Sequence, residues 1–368
     1  MKIAYDYQVF SQQPYGGVSR YFFEISKRIS NLNKDSNVSI LSPLYINEYL
    51  EPVKGELKIK GIKIPNIPKS QRLIYLINRL LSRKQLKKFK PDILHETYYS
   101  SNTISYGKEK LIITVYDMIH ELFPSCFNSS DKTSQIKRKA IDRADHIICI
   151  SENTRQDLIR LFGIDKEKTS VVPLGVSLNS KQNNLKIKRK KGYILYVGSR
   201  VGYKNFRNLI FAYSKNKELN NQYDLIAFGG GEFTLDEKTL FKEVGLNEKK
   251  VIHESGTDEK LVSFYSDASL FVYPSLYEGF GIPPLEAMSL NCPVACSNSS
   301  SMPEVVGNAA AFFDPKSVKS ISSAIQSVLE DVSYKDLLIS RGQNRIKHFS
   351  WDSCSQKTYE IYQKVIQK

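Results

Sequence analysis

Short apolar runs followed by stretches of helical period recur along this chain. Residues 2–10 predict a strand, 12–17 a loop, and 18–29 a helix with Val18, Tyr21, Phe22, Ile25 and Ile29 on one face. Strands follow at 92–94, 111–115, 146–150 and 169–172, and a helix over 151–163 opens on an N-cap serine and closes at Gly163. This order predicts a parallel sheet with functional residues beyond the carboxyl ends of its strands. Residues 177–192 are polar and lysine-rich, the pattern of a domain connection. The alternation then resumes, with strands at 193–197, 224–228, 250–253, 270–273 and 293–296 and helices between them.

The densest chemistry lies in residues 269–304. The run Leu270–Tyr273 stops at Pro274 and Ser275, a glycine loop Glu278-Gly279-Phe280-Gly281 follows, and Pro283 and Pro284 suit the first turn of a helix. Glu278 and Glu286 stand seven residues apart, so both can face one site into which loop amides and a helix N-terminus point. Such donors favour a phosphate. A carboxylate beside a phosphate repels it and better accepts hydroxyl protons from a ribose or a sugar ring, so the residue types point to a glycosylated nucleotide. On spacing alone, a turn with two solvated glutamates is the simpler reading; the Gly-Phe-Gly-x-Pro-Pro context reverses it.

YPSLYEGFGIPPLEAM resembles the Glu-x7-Glu signature of family 4 of the retaining glycosyltransferases, a GT-B-fold group. The resemblance implies an α/β chain of two Rossmann-like, doubly wound domains facing across a cleft. Residues 1–180 would bind the acceptor, 181–192 form the linker, 193–348 bind the nucleotide sugar, and 349–368 form a helix crossing back to the first domain. The implied reaction moves a hexose, mannose favoured, from a nucleoside diphosphate sugar to a glycan or lipid-linked acceptor in cell-surface polysaccharide synthesis. Anomeric configuration is retained, and neither cofactor nor metal is expected. An epimerase of the same fold acting on sugar nucleotides is the alternative enzyme.

By the same resemblance Gly16 and Gly17 approach the donor phosphates, and VGSRVGYKNF is similar to a phosphate-binding loop in which Arg200 and Lys204 stabilise the departing diphosphate. Gly279, Phe280 and Gly281 present amides to sugar and phosphate, Glu286 holds the ribose hydroxyls, and the turn at Thr257 lies by the base. Glu278 is the catalytic carboxylate beside the sugar ring; same-face attack and a covalent intermediate both stay open. ITVYDMIHELFP resembles the family's Thr-x-His-Asp-x-Ile segment, with Asp117 kept and Tyr116 where histidine is usual. The polar contact of that histidine falls either to His120 or to the Tyr116 hydroxyl.

Composition is that of an ordinary globular chain, 41% apolar and 25% charged, and the net charge of +15 is concentrated before residue 192. A positive first half suits an anionic partner. No aromatic–basic RNA motif or zinc finger accompanies it, so a nucleic-acid-binding protein is the weaker alternative and nucleic acid is not an expected partner. Residues 70–90 form a basic amphipathic helix, with Leu73, Ile77, Leu80 and Leu81 among seven lysines and arginines. It reads either as an interfacial helix on anionic lipid or, more simply, as a surface helix whose leucines face the core. Five scattered cysteines suit a reducing compartment. No apolar stretch reaches the roughly 18 residues of a spanning helix, and Asp6 interrupts any signal core. The expected location is therefore cytoplasmic, with at most peripheral contact at the inner membrane face.

Overall fold

The computed structural model of the chain describes all residues except 33–35, 54–56, 177–190, 248 and 368. The expected linker at 181–192 thus lies outside the described residues but for its last two positions.

Strand β1 (Lys2–Tyr5) is shorter than its apolar pattern predicts, because Asp6 turns inward and ends it. The Thr97 amide and hydroxyl donate to Asp6 Oδ1 at 2.9 and 2.6 Å, and the Gln8 side-chain amide donates to Oδ2 at 2.6 Å. A buried carboxylate must collect donors, and Gln8–Gln12 becomes a short helix instead of a continuing strand.

The strands that follow are β2 (Asn37–Ile40), β3 (Leu44–Tyr45), β4 (Lys58–Ile59), β5 (Ile62–Lys63), β6 (Ile93–Glu96), β7 (Lys110–Val115), β8 (His146–Cys149) and β9 (Thr169–Val171). Seven form a parallel sheet in the order β4-β2-β1-β6-β7-β8-β9; β3 and β5 pair separately. Tyr5 of β1 is matched to Ile40 on one side and His95 on the other, so chain order reverses at β1. The remaining strands are β10 (Gly192–Val197), β11 (Tyr223–Phe228), β12 (Val251–Glu254), β13 (Leu270–Tyr273), β14 (Val294–Ser297) and β15 (Ala311–Phe313). They make a second parallel sheet, β12-β11-β10-β13-β14-β15, whose reversal lies between β10 and β13. Both are doubly wound, and ligands of such sheets bind beyond the carboxyl ends at the reversal.

The described chain divides into two units: residues 1–122, 127–175 and 351–368, and residues 123–126 and 176–350. In the first, helix Trp351–Gln367 packs on helix Gly17–Leu32. A buried chain of hydrogen bonds anchors it: Tyr362 hydroxyl to His95 Nδ1 at 2.6 Å and to Tyr5 hydroxyl at 3.2 Å, then His95 Nε2 to Thr114 Oγ1 at 2.9 Å. A side chain at Gly175 would meet the Trp351 backbone nitrogen at 2.4 Å, so only glycine lets the two segments approach.

Helix Gln71–Phe89 turns four of its five leucines outward. Its buried positions are Ile74, Asn78, Ser82, Leu86 and Phe89, while Leu73, Leu76, Leu80 and Leu81 are exposed. The inward polar pair explains this. Asn78 exchanges two hydrogen bonds with the Leu44 backbone at 2.7 and 2.8 Å, and Ser82 donates to the Leu41 carbonyl at 3.0 Å. These two side chains satisfy main-chain groups after β2 and at β3 and thereby fix which face of the helix is buried. Among the described residues, no helix is long and apolar enough to cross a membrane.

Burial pushes the His95 imidazole down to about 3, so it is neutral in the folded state and protonates only on unfolding. Its contribution to stability is therefore complete above pH ~6.5 and falls by up to ~1.4 kcal/mol per pH unit as pH drops toward 3. Denaturant titrations across that range are expected to show His95→Asn losing about one proton of pH dependence relative to the parent.

Candidate active site

Two loops leave the second sheet at its reversal, one after β10 and one after β13. Asn205, in the left-handed conformation at φ 58°, ends the first and ties it to its neighbours through its side-chain amide: Nδ2 donates to the Pro274 carbonyl at 2.9 Å and the Pro315 carbonyl at 2.7 Å. The Leu276 amide donates to the Tyr203 carbonyl at 2.8 Å. So joined, the loops bring Lys204 Nζ to 2.7 Å from Glu278 Oε1, with side-chain exposures of only 17% and 10%. Around this ion pair the Tyr196 and Tyr273 phenols are pushed far up, chiefly by burial and then by the Glu278 charge, and stay neutral.

The Glu278 loop is moulded by the serine-rich segment after β14. Ser300 Oγ accepts the Glu278 amide at 2.9 Å, and the buried Ser301 hydroxyl lies 2.9 Å from both the Glu278 and Phe280 carbonyls. Gly281 has φ 96°, and a methyl group there would lie 2.1 Å from Met302 Cε. Only glycine fits, and helix Ile282–Ser289 starts directly after it with prolines in its first turn. Glu286, half-buried on that helix, accepts from the buried Tyr265 hydroxyl at 3.3 Å.

Arg200 is held differently. Its guanidinium, 4% exposed, donates to Glu237 Oε1 at 2.6 Å and to the carbonyls of Gly229, Gly231 and Glu232 at 2.9, 2.9 and 3.0 Å. It also lies over the Phe233 ring at 4.8 Å. Glu237 in turn caps helix Leu235–Glu243, accepting the Thr234 amide at 2.8 Å. Burial pushes the Glu237 carboxyl up, but Arg200 and Thr234 outweigh it and hold the group below its ordinary range. Gly230, at φ 71°, packs so close that an added methyl would meet the Gly198 carbonyl at 2.8 Å and Arg200 Nη1 at 2.9 Å.

Arg200, Lys204, Glu278 and the Gly279–Gly281 turn thus lie on adjoining loops at the carboxyl ends of β10 and β13. Thr257 stands at the exposed start of helix Asp258–Asp267, beyond β12. The other candidates belong to the first unit. Gly16 and Gly17 begin helix Gly17–Leu32; a methyl at Gly16 would strike Gln13 Oε1 at 2.2 Å, while Gly17 faces open space. The Tyr116 hydroxyl and His120 Nδ1 are buried with no hydrogen-bond partner among the described residues. The His120 ring stacks on Phe127 at 3.9 Å. Asp117 folds back on the Ile119 amide at 3.0 Å.

Sequence reasoning overlooked Lys137, which is fully buried and donates to the Asp117 carbonyl at 2.9 Å and Glu121 Oε2 at 2.8 Å. Nothing in its polar surroundings, SQIKRK, sets it apart. It also overlooked Ser300, Ser301 and Glu237. Of these, Glu237 was legible, because Thr234-x-x-Glu237 is a capping box.

Comparison with known proteins gives the family and the fold. The model for "Glycosyltransferase Family 4" matches residues 15–180, and that for "Glycosyl transferases group 1" matches 179–345. O-antigen chain mannosyltransferase B of Escherichia coli is 30% identical over 95% of this chain and 96% of its own. This chain belongs to glycosyltransferase family 4. O-antigen chain mannosyltransferase RfbU of Salmonella typhimurium is also 30% identical, over 69% of the transferase and 73% of itself. The transferase shares the GT-B fold: sucrose-phosphate synthase from Thermosynechococcus elongatus superposes with TM-score 0.75 at 17% identity over 100% of this chain and 99% of its own. WaaG, a glycosyltransferase of lipopolysaccharide biosynthesis, gives 0.71 at 15% identity over 98% and 99%.

Ser301→Ala removes the one hydroxyl shared by two buried carbonyls of the Glu278 loop. It is expected to lower unfolding free energy by ~1–3 kcal/mol in urea titrations.

Proposed function

We propose that this transferase moves mannose from GDP-mannose to a lipid-linked glycan acceptor at the cytoplasmic face of a membrane, during synthesis of a surface polysaccharide. The observation that carries the reading is the Lys204–Glu278 ion pair, set beside the Gly281 helix start at the reversal of the second sheet. The mannosyl donor and glycan acceptor are drawn from the O-antigen mannosyltransferase relatives. Because those relatives are transferases, they also favour transfer over the epimerase reading.

In this mechanism the donor diphosphate takes Lys204 away from Glu278 and lies against the amides of Gly279 to Gly281. The bond between the anomeric carbon and the leaving phosphate oxygen breaks, an acceptor oxygen bonds to the same face of that carbon, and its proton passes to the departing phosphate. Glu278, released from Lys204, faces the positive charge that develops on the ring. Arg200, its charge balanced by Glu237, supports the diphosphate indirectly by shaping the Gly229–Glu232 loop. Glu286 takes the ribose hydroxyls, and Thr257 stands by the base. Gly16 and Gly17, in the first unit, stay candidates for a phosphate contact by the resemblance. Asp117, with the unpartnered Tyr116 hydroxyl and His120 Nδ1, serves the sugar and the acceptor; buried polar groups without partners call for one. No metal enters the reading, since Lys204 supplies the cationic charge at the diphosphate.

Expected outcomes follow for each part. GDP-mannose raises the melting temperature with the logarithm of its excess over Kd, whereas other nucleotide sugars at equal concentration do not. Lys204→Ala lowers kcat by ~10²–10³-fold, while Glu286→Ala raises the donor Kd by ~10–100-fold. EDTA leaves turnover unchanged, and the product carries the anomeric configuration of the donor when read by carbon–proton coupling. A donor isomerised without any acceptor, or turnover abolished by EDTA and restored by a divalent cation, would overturn the proposal.

A further inference from the structure

The outward face of helix Gln71–Phe89 has the composition of a surface built for a second phase. Leu73, Leu76 and Leu80 recur at spacings of three and four, so they stand in one line along the helix, and Leu81 lies beside them. They are 61, 46, 56 and 41% exposed. On the segment leading into the helix, Ile62 and Ile67 are 62 and 53% exposed. These six belong to one stretch of sequence, and the core contacts of the helix are made by its opposite face through Asn78 and Ser82, as described above. The core-facing side also buries Ile74, Leu86 and Phe89, so the four outward leucines form a second apolar face that packing within the chain does not require.

Charge identifies what covers this face. From residue 57 to residue 91 the chain carries eleven lysines and arginines and no aspartate or glutamate. Arg72, Arg79 and Arg83 fall on one flank of the leucine line by helical spacing, and Lys84, Lys87 and Lys88 extend it toward the C-terminus. A protein partner of ordinary surface would set neutral or mixed charge against this density. An anionic bilayer instead offers hydrocarbon for the leucines and phosphate headgroups for the flanking cations.

We infer that the Gln71–Phe89 helix, with Ile62 and Ile67, is the membrane-docking surface of this protein, lying in the headgroup plane of an anionic leaflet with Leu73, Leu76 and Leu80 inserted. The inference deepens the reading of a lipid-linked acceptor and rests on it only for its biological purpose. The surface itself is argued from exposure and charge.

The test is flotation of the full chain with vesicles of phosphatidylcholine alone or with about 30% phosphatidylglycerol. The expected result is association with the anionic vesicles, weakened by added salt, and little with the neutral ones. Arg72→Gln with Arg83→Gln is expected to weaken partitioning about 25-fold, five-fold per cation removed, and Leu73→Ser with Leu80→Ser at least about ten-fold. Both pairs are exposed, so melting temperatures should match the parent, and turnover of GDP-mannose with a soluble acceptor should be unchanged. Failure of that turnover in the parent therefore counts against the proposed reaction alone. Absence of binding to anionic vesicles, or either double variant binding like the parent, overturns the docking surface. So does a parent dimer in vesicle-free solution that the leucine variant renders monomeric, which would assign the face to a second copy of the chain.

Discussion

The ion pair between Lys204 and Glu278 is the contact on which the site depends. Each charge has lost most of its water, and neither loop alone could hold its member at that position. Desolvating such a pair costs several kcal/mol and its mutual attraction only roughly offsets this, so the pair adds little to stability. Losing one partner is far more damaging than losing both, because the survivor is left charged and nearly dry. A ligand that brings its own negative charge to Lys204 can therefore exchange with Glu278 at small net cost. The surrounding architecture holds this pair in place: Asn205 knits the two loops, Ser300 and Ser301 fix the carboxylate loop from behind, and Gly281 admits the close turn that begins the helix.

Beside this contact stands a second cation with a different task. Arg200 spends its donors on Glu237 and three carbonyls of the Gly229–Glu232 loop. Two of those carbonyls belong to Gly229 and Gly231, both in left-handed conformations, and the third to Glu232. One arginine gathers them, and Glu237 both balances its charge and caps the next helix. Two basic residues that look equivalent in sequence are thus distinguished by their partners, one paired across loops and one clasping a single loop.

Much of this was legible in the sequence. Period-2 and period-3.6 patterning located the strands at 270–273 and 193–197 to within a residue, because buried parallel strands are continuous apolar runs bounded by glycine or proline. Glu278, Glu286, Lys204 and the 279–281 turn could be named from one strand–loop–helix stretch and one glycine-exit loop. What escaped notice depends on residues distant in sequence. Asp6 shortens β1 because Thr97 lies across the sheet, and four of the five leucines of helix Gln71–Phe89 face outward because Asn78 meets Leu44. Lys137 is buried by its partners Asp117 and Glu121, not by its neighbours in the chain. Local pattern reports which face of a helix is apolar; only tertiary partners decide which face is covered.

The most direct test of the account is a crystal structure with GDP-mannose bound. The account predicts Lys204 Nζ within hydrogen-bond distance, about 2.7–2.9 Å, of a diphosphate oxygen, with Glu278 turned away from it toward the sugar ring. A bound nucleotide sugar with the Lys204–Glu278 pair still closed, its phosphates held elsewhere, would contradict it.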